Sequence, residues 1–171
     1  MKELLLTQEI LRSILDYDPA TGHFTRKSGR GGTVTGSRAG TLRRGYIWIS
    51  VNNKLYVAHR LAWLYVHGRW PKEQIDHINM VKSDNRIENL REATYSENGR
   101  NRPIPKSNKS GYRGVCFHKQ FQKWNANIHH HGKHYSLGLF DSPEEASRAY
   151  QRAAQQLHGS FIPLAEEGAL T

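Results

Sequence analysis

The amino-acid sequence predicts an α+β protein in which short β-strands and a few helices form small modules. The chain has 171 residues, of which 37% are hydrophobic, fewer than in a typical globular domain. It also contains 4 Trp, 8 Tyr and 5 Phe, too many aromatic residues for a disordered chain. The last third of the chain has three β-rich segments followed by one helical segment, the order expected of a small α+β module. These observations exclude one large enzyme core and favour two or three small folded parts.

The charge of the chain indicates a polyanionic partner, with nucleic acid as the first candidate. Lys and Arg number 25 and Asp and Glu 15, so the formal net charge is +10. Residues 26–45 are rich in glycine and contain basic side chains but no acidic one. We interpret this stretch as basic and mobile, either a solvated linker or a contact for phosphate. Its basic residues are Arg26, Lys27, Arg30, Arg38, Arg43 and Arg44.

Cysteine content and hydropathy bear on where the protein is found. Cys116 is the single cysteine, which excludes an intrachain disulfide and the cysteine-based zinc sites of many small DNA-binding modules. The longest apolar runs, residues 4–6 and 61–66, are far shorter than a membrane span, and no signal peptide follows Met1. We therefore expect a soluble protein of the reducing cytoplasm, with no membrane partner.

Helices and strands alternate in the N-terminal half. Thr7 is a suitable N-cap for a helix whose apolar residues recur between positions 10 and 15, before turn residues at 18–22 end it. A short strand is expected around Phe24. Residues 46–51 and 55–57 are β-rich and flank an Asn-Asn turn, which predicts a hairpin. Residues 60–66 then form a short buried helix that Gly68 ends.

Residues 74–102 contain the side chains that hydrolysis of a phosphodiester bond requires. Such a reaction needs a base to take a proton from water and a hard divalent cation to hold the phosphate. The adjacent residues Asp76 and His77 can supply both if the backbone bends there, because neighbouring side chains on a strand point to opposite faces. Carboxylate and amide oxygens suit Mg²⁺, so Asn98 is a candidate second ligand.

The same stretch predicts a strand, a loop, a second strand and a helix. The loop is rich in Asn and Ser, which are ordinary turn residues. Thr94 and Glu97 form a capping box that begins the helix bearing Asn98. The alternative is purely structural, with Asp76 and His77 sharing a hydrogen bond and the asparagines satisfying turns.

This stretch resembles the HNH nucleases with a ββα-metal fold, and most closely the phage HNH homing endonucleases, in which the third motif position is Asn. The resemblance implies that Asp76 and Asn98 are metal ligands for Mg²⁺ or Mn²⁺ and that His77 is the general base. It implies that Asn89 holds the loop and orients His77. Double-stranded DNA would be the substrate, and the protein would be encoded by a phage and act in the bacterial host cell.

The segment YVAHRLAW, residues 56–63, also resembles the segment that precedes this motif in the same group. It contains His59. For this histidine a buried structural role is favoured, with a catalytic role as the alternative.

Residues 111–162 resemble the plant ethylene-response-factor DNA-binding domain, which implies three antiparallel strands on one helix with the sheet in the major groove. The matching positions include Trp124 and the run YRGV at 112–115. Independently, residues 111–139 hold four basic side chains and no acid, so a polyanion should dock on the strands. Arg113 is the candidate for reading guanine, with Trp124 packing against sugar and phosphate. The other basic residues of the sheet are Lys119, Lys123 and Lys133.

One departure from the plant domain affects the expected target. Plant members carry a second Arg after the Val, where this chain has Cys116. The plant target sequence is therefore not expected for this protein.

Together these parts predict a site-specific HNH homing endonuclease in three regions. Residues 1–72 form a basic α/β region that supports the nuclease and contributes Arg43 and Arg44 to DNA binding. Residues 73–104 form the ββα-metal motif, and residues 107–171 form the recognition domain. We expect a monomer with no cofactor other than the metal. The alternatives are a non-catalytic DNA-binding regulator and a non-specific HNH nuclease of phage growth or defence.

Overall fold

The structure, a computed structural model, describes residues 6–29 and 34–159. Within these residues four α-helices accompany several small antiparallel sheets, which confirms the α+β class. None of the helices in the described ranges is long and apolar enough to cross a bilayer. The chain divides into two units, residues 1–99 and residues 100–171.

In its described residues, the first unit contains two three-stranded antiparallel sheets, one two-stranded sheet, three α-helices and one 3-10 helix, Ile87–Asn89. Its elements in chain order are α1 (Gln8–Ile14), β1 (Leu15–Asp18), β2 (His23–Arg26), β3 (Arg38–Ala39), β4 (Thr41–Arg43), β5 (Tyr46–Val51), β6 (Lys54–Val57), α2 (Ala58–His67), β7 (Gln74–His77), β8 (Leu90–Ala93) and α3 (Tyr95–Arg100). Strands β1, β2 and β3 form the first sheet, β4, β5 and β6 the second, and β7 and β8 the third.

The predicted N-terminal helix is present but shorter than expected. Thr7 caps it, accepting a hydrogen bond from Ile10 N–H at 3.3 Å. The helix ends at Ile14 because Leu15–Asp18 pairs with His23–Arg26 as the antiparallel strand β1. Burial alternates along β1, so its apolar residues serve a sheet and not a longer helix.

The basic stretch at residues 26–45 is not a linker over its described part, which corrects the expectation of a mobile segment. Arg38–Ala39 pairs with β2, and Thr41–Arg43 pairs with β5. The stretch joins two sheets, and its residue Ala39 is buried in the core. Arg30 lies outside the described residues.

Helix α2 crosses the core of the first unit. Leu61 and Ala62 are fully buried, and Gly68 ends the helix in the left-handed conformation with a φ of 71°, as the sequence predicts. The core also takes in Ile75 of β7 and Leu90 of β8. The strands that carry the motif are therefore anchored in the same core as the N-terminal region.

The second unit is a three-stranded antiparallel sheet with one helix packed on it. Its elements are β9 (Val115–His118), β10 (Lys123–His130), β11 (Lys133–Phe140) and α4 (Pro143–His158), with β10 in the centre. Ser142 caps α4 by accepting a hydrogen bond from Glu145 N–H at 3.2 Å. The three strands and the capped helix are those that the sequence predicts.

Candidate active site and DNA-binding surfaces

Asp76 and His77 end strand β7 and are both buried, with 3% and 6% of their surface exposed. Arg91 lies directly opposite Asp76 on β8, and its Nε and Nη2 atoms lie 2.9 and 2.8 Å from Asp76 Oδ2. Arg91 thus compensates the buried negative charge and fixes the orientation of the carboxylate. The chain turns directly after His77, whose carbonyl accepts a hydrogen bond from Met80 N–H at 2.8 Å.

Asn85 orients the imidazole of His77. His77 Nε2 lies 3.2 Å from Asn85 Oδ1, while Asn85 Nδ2 donates to the Ser83 carbonyl at 3.3 Å. With the amide oxygen facing the ring, the tautomer that donates from Nε2 makes this hydrogen bond. Burial lowers the pKa of His77 below its usual value, although the Asn85 hydrogen bond and the Asp76 charge oppose this effect. The ring is therefore neutral near pH 7, the form that a general base requires.

Asn89 holds the loop between the two strands. Its Oδ1 accepts a hydrogen bond from Asn79 N–H at 3.0 Å, and its Nδ2 donates to the Asp84 carbonyl at 2.8 Å. Its own carbonyl accepts from Ile78 N–H at 2.9 Å. Asn85 contacts the His77 ring, and the orientation of His77 by Asn89 that the resemblance implies stays a prediction.

Sequence reasoning missed Asn85 because it is one of several asparagines in this loop. Asparagine is common in turns, so its presence there gave no sign of a special role. The structure places it behind His77, where it is 2% exposed. Its carbonyl accepts a hydrogen bond from the Tyr17 hydroxyl at 2.7 Å. Gly22 approaches the same backbone so closely that a Cβ there would lie 2.4 Å from Asn85 C and Arg86 N. The hairpin of β1 and β2 therefore supports the residue that orients His77.

We expect Gly22→Ala to lower the free energy of unfolding by about 1–3 kcal/mol, because the added methyl group would overlap the backbone of Asn85. The cleavage rate should fall as well, since the displaced backbone carries the Asn85 amide. Gly36→Ala is the matched control, because Gly36 has a similar φ (78° against 72°) but open space around its Cβ position. Urea unfolding measures the stability of each variant, and a cleavage assay measures its rate. Equal losses for the two variants would mean that only backbone strain acts.

Asn98 lies on the side of β7 that carries Asp76. The predicted capping box begins α3, with Glu97 Oε2 accepting from Thr94 N–H at 2.8 Å. Asn98 Nδ2 then donates to Gln74 Oε1 at 2.5 Å. Gln74 and Asp76 are two residues apart on one strand and so project from the same face. The structure thus brings the two predicted metal ligands to one face of β7.

The oxygen atoms of Asp76 and Asn98 fit a hard divalent cation. Asn98 uses its amide nitrogen for Gln74, so Oδ1 would be its ligand atom. The Asp76 carboxylate, which Arg91 binds at Oδ2, would supply the second oxygen. Mg²⁺ is commonly held by one or two such oxygens, with water and substrate phosphate completing its shell. In the described parts of the chain, no cluster of three or more His, Cys, Asp or Glu residues is placed to hold a metal.

His59 contacts His77 and borders a cleft. Its ring lies edge to face with that of His77, with centroids 5.0 Å apart, and 5.5 Å from the ring of Tyr46. Burial, with His77 and Arg60 nearby, lowers the pKa of His59 to about 3, so this histidine is neutral at physiological pH. The cleft has a volume of about 350 Å³, and residues lining it include Tyr46, Trp48, His59, Arg60, Gln74 and Asn98.

Basic side chains flank this region of the first unit. Arg43 ends β4 and Arg44 occupies the turn to β5, and both are exposed. Lys82 Nζ lies 5.1 Å from the centroid of the Tyr46 ring, which in turn is 6.1 Å from the ring of His77. Cations are therefore present near His77, where a phosphate group would approach.

Helix α4 covers one face of the C-terminal sheet. Val115 and Ala126 are buried in this interface with Ala146 of the helix. Trp124 packs against the same cluster, and its ring lies 5.1 Å from that of Phe117. Trp124 therefore faces the helix, and its contact with sugar and phosphate stays a prediction.

The basic residues of the second unit have different surroundings. Arg113 donates to the carbonyl of Arg100 at 3.1 Å and to that of Arg102, so its reading of guanine stays a prediction. Lys123 Nζ lies 3.0 Å from Asp141 Oδ1. Two further lysines, Lys119 and Lys133, are exposed at the two ends of the sheet.

The first unit contains a ββα arrangement with a buried Asp–His pair, and the second is a sheet domain with basic residues on its strands. This combination defines a DNA nuclease with a separate DNA-binding domain. The family model described as HNH endonuclease matches residues 56–100, and the AP2 domain model matches residues 110–160. The chain belongs to the HNH endonuclease family and carries a C-terminal AP2 domain. Nucleases of this family generally use a divalent metal.

A phage protein and plant proteins are among the relatives. The chain is 34% identical over 104 residues to Protein 3.8 of Escherichia phage T7, a match that covers 60% of this chain and 85% of the phage protein. It is 44% identical over 55 residues to the AP2-like ethylene-responsive transcription factor TOE2 of Arabidopsis thaliana and to APETALA2-like protein 2 of Oryza sativa subsp. indica. These matches cover 32% of this chain but only 11% and 13% of the plant proteins. No solved structure matches the chain.

Proposed function

We propose that this protein is a site-specific homing endonuclease that hydrolyses phosphodiester bonds of double-stranded DNA with a divalent metal. The observation that carries the proposal is the buried Asp76–His77 pair at the end of β7, with the Asn98 amide on the same side of the strand. A separate sheet domain with basic residues on its strands supports recognition of a defined site.

In this proposal His77 is the general base. Its neutral imidazole accepts a proton from the attacking water, while Asn85 contacts the ring at Nε2 and Asn89 holds the loop. Asp76 and Asn98 would hold Mg²⁺ or Mn²⁺ through one oxygen each, and the chemistry that such an ion would supply is positive charge for the leaving 3′-oxygen.

Basic residues of both units bind the DNA backbone in this proposal. In the first unit Arg43 and Arg44 contact phosphates near His77. In the second unit the backbone contacts are made by Lys119, Lys123 and Lys133, with Trp124 close to the backbone. Arg113 is the candidate for reading guanine. Since these contacts displace counterions, affinity should fall steeply as salt rises. One chain holds one set of catalytic residues, and we propose that it acts as a monomer in the host cell of a phage.

The experiment is cleavage of plasmid and phage DNA by the purified protein in Mg²⁺ and in EDTA, with sequencing of the ends produced. We expect cleavage only in Mg²⁺, with ends that cluster at one or a few sequences. Ends scattered along the DNA would favour a non-specific nuclease. DNA binding without cleavage in any divalent metal would favour a regulator.

A further inference from the structure

Histidines from the sheet and from the helix of the second unit meet where β10 and α4 end. Ile128 of β10 is buried, and His130 lies two residues further along the strand, so both point to the face that α4 covers. His158 is the last residue of α4, and its ring centroid lies 5.4 Å from that of His130. His129 points the other way, to the open face that α4 leaves uncovered.

His130 and His158 each have one ring nitrogen that is buried and unpaired. The Nδ1 atoms of both rings are shielded from solvent, and neither has a hydrogen-bond partner among the described residues. Buried polar atoms in native proteins nearly always have a partner, so an exception points to a water, an ion or a functional role. Two such atoms on neighbouring rings indicate one shared occupant.

The distance between the two rings suits imidazoles that share a metal ion. Zn²⁺ binds an imidazole nitrogen at about 2.0–2.1 Å, which places the centre of that ring about 3.2 Å from the ion. At a tetrahedral angle, two such rings have centroids roughly 5 Å apart. The observed separation of 5.4 Å is therefore close to that of two ligands on one ion.

Both imidazoles are in the neutral form that a metal ion requires. Loss of solvation, with His131 and Arg100 nearby, lowers the pKa of His130. Burial and Arg100 likewise lower the pKa of His158, against a backbone hydrogen bond at Leu157 that raises it. The positive charge of Arg100 also opposes a bound cation, so we expect weaker binding than at zinc sites with four protein ligands.

The ligand type selects the kind of ion. Imidazole nitrogen suits Zn²⁺, Ni²⁺ and Cu²⁺, whereas Mg²⁺ prefers oxygen ligands. Within the described parts of the chain no set of three His, Cys, Asp or Glu residues is placed around an ion, so water would complete the coordination shell here.

We propose that His130 and His158 bind a divalent transition-metal ion of the Zn²⁺ type through their Nδ1 atoms. The bound ion joins the end of β10 to the last residue of α4 and thereby stabilises the second unit. This site does not depend on the proposed function, and it differs in ligand type from the oxygen ligands proposed at Asp76 and Asn98.

The test is calorimetric titration of the full chain with Zn²⁺ in excess Mg²⁺. His130→Gln and His158→Gln should each weaken Zn²⁺ binding at least about tenfold, since even partners outside a metal shell contribute about 10- to 100-fold. Zn²⁺ should raise the melting temperature of the wild type but not of these variants, because a ligand stabilises only a fold that binds it.

His129→Gln and His134→Gln are the matched controls. These two histidines are exposed and pair across the strands on the open face, with ring centroids 4.8 Å apart. Both variants should bind Zn²⁺ as the wild type does. Loss of binding in these variants, with binding kept in the His130 and His158 variants, would overturn the inference. Loss in His77→Ala alone, or no binding by the wild type, would overturn it as well.

A variant that gains a signal keeps the test informative if a glutamine variant folds poorly. Thiolate is a strong ligand of Zn²⁺ and of ions that replace it, such as Co²⁺. His158→Cys should therefore bind Co²⁺ with a sulfur-to-cobalt charge-transfer absorption. The wild type is the control, because it contains Cys116 as its single cysteine and should lack this absorption. Absence of the absorption in a folded His158→Cys protein would overturn the inference.

Discussion

His77→Ala is expected to lower the rate of DNA cleavage by about 10²- to 10⁴-fold, the usual contribution of a general acid or base. DNA affinity should stay at the wild-type value, because His77 acts on water and contributes little to binding of the ground state. Single-turnover cleavage of a target duplex measures the first quantity, and binding to the same duplex in EDTA measures the second. Wild-type cleavage by this variant would remove His77 from the mechanism.

Two further variants test whether Asn85 positions the His77 ring. Asn85→Ala should lower the cleavage rate less than His77→Ala does, since the base is still present but its orientation is lost. His67→Ala is the matched control, because His67 is an exposed histidine at the end of α2, and it should cleave at the wild-type rate. An Asn85→Ala protein that cleaves as fast as wild type would show that the ring needs no support from this amide.

The pH dependence of the cleavage rate is a second test of His77 as the general base. Burial lowers the pKa of His77 below 6.5, and the neutral ring is the active form. The wild-type rate should therefore fall to half its maximum at a pH below 6.5. A half-maximal rate at a pH above 6.5 would contradict a His77 pKa that lies below its usual value.

Elements with local signals were predictable from the sequence. The caps at Thr7, Thr94 and Ser142 each act over three residues, so the residues that form a cap are near one another in the chain. The same holds for Gly68, whose left-handed conformation ends α2. Strand β1 was missed because it depends on a partner. The apolar residues of the segment 10–15 fit a helix, and only pairing with β2 converts Leu15–Asp18 to a strand.

The sequence could nominate the residues of the candidate site whose own side-chain chemistry suits the reaction. A carboxylate, an imidazole and an amide at motif spacing were sufficient to select Asp76, His77 and Asn98 as candidates, and their catalytic and metal-binding roles stay predictions. The residue that orients the imidazole was not predictable in this way. Asn85 and Asn89 lie in the same loop, and only the fold decides which amide reaches the ring and which one holds the backbone.

The sequence also did not determine on which face of the sheet each strand residue lies. Trp124 and Asn125 are adjacent, and a shift of one residue in the pairing would exchange their faces. The observed register places the Trp124 ring toward α4 and the Asn125 amide toward the open face. The DNA contacts that the sequence predicts for Trp124 and Arg113 stay predictions.

Asp76→Asn is expected to raise the Mg²⁺ concentration needed for half-maximal cleavage by at least about tenfold, because even partners outside the metal shell contribute about 10- to 100-fold to metal affinity. Asn98→Ala should raise it less, since it removes a neutral ligand while Asp76→Asn removes a charge. The measurement is a titration of the cleavage rate against Mg²⁺ for each variant.

Loss of the Asp76 carboxylate also breaks the buried pair with Arg91, which by itself can lower stability by about 3–5 kcal/mol. Arg91→Gln separates the two effects, because it removes the same ion pair but keeps the carboxylate that would bind the metal. We expect Arg91→Gln to lower the free energy of unfolding as much as Asp76→Asn does, while its Mg²⁺ midpoint stays closer to that of the wild type. If Asp76→Asn has the wild-type midpoint, or if Arg91→Gln raises the midpoint equally, then Asp76 serves the fold through Arg91 and is not a metal ligand.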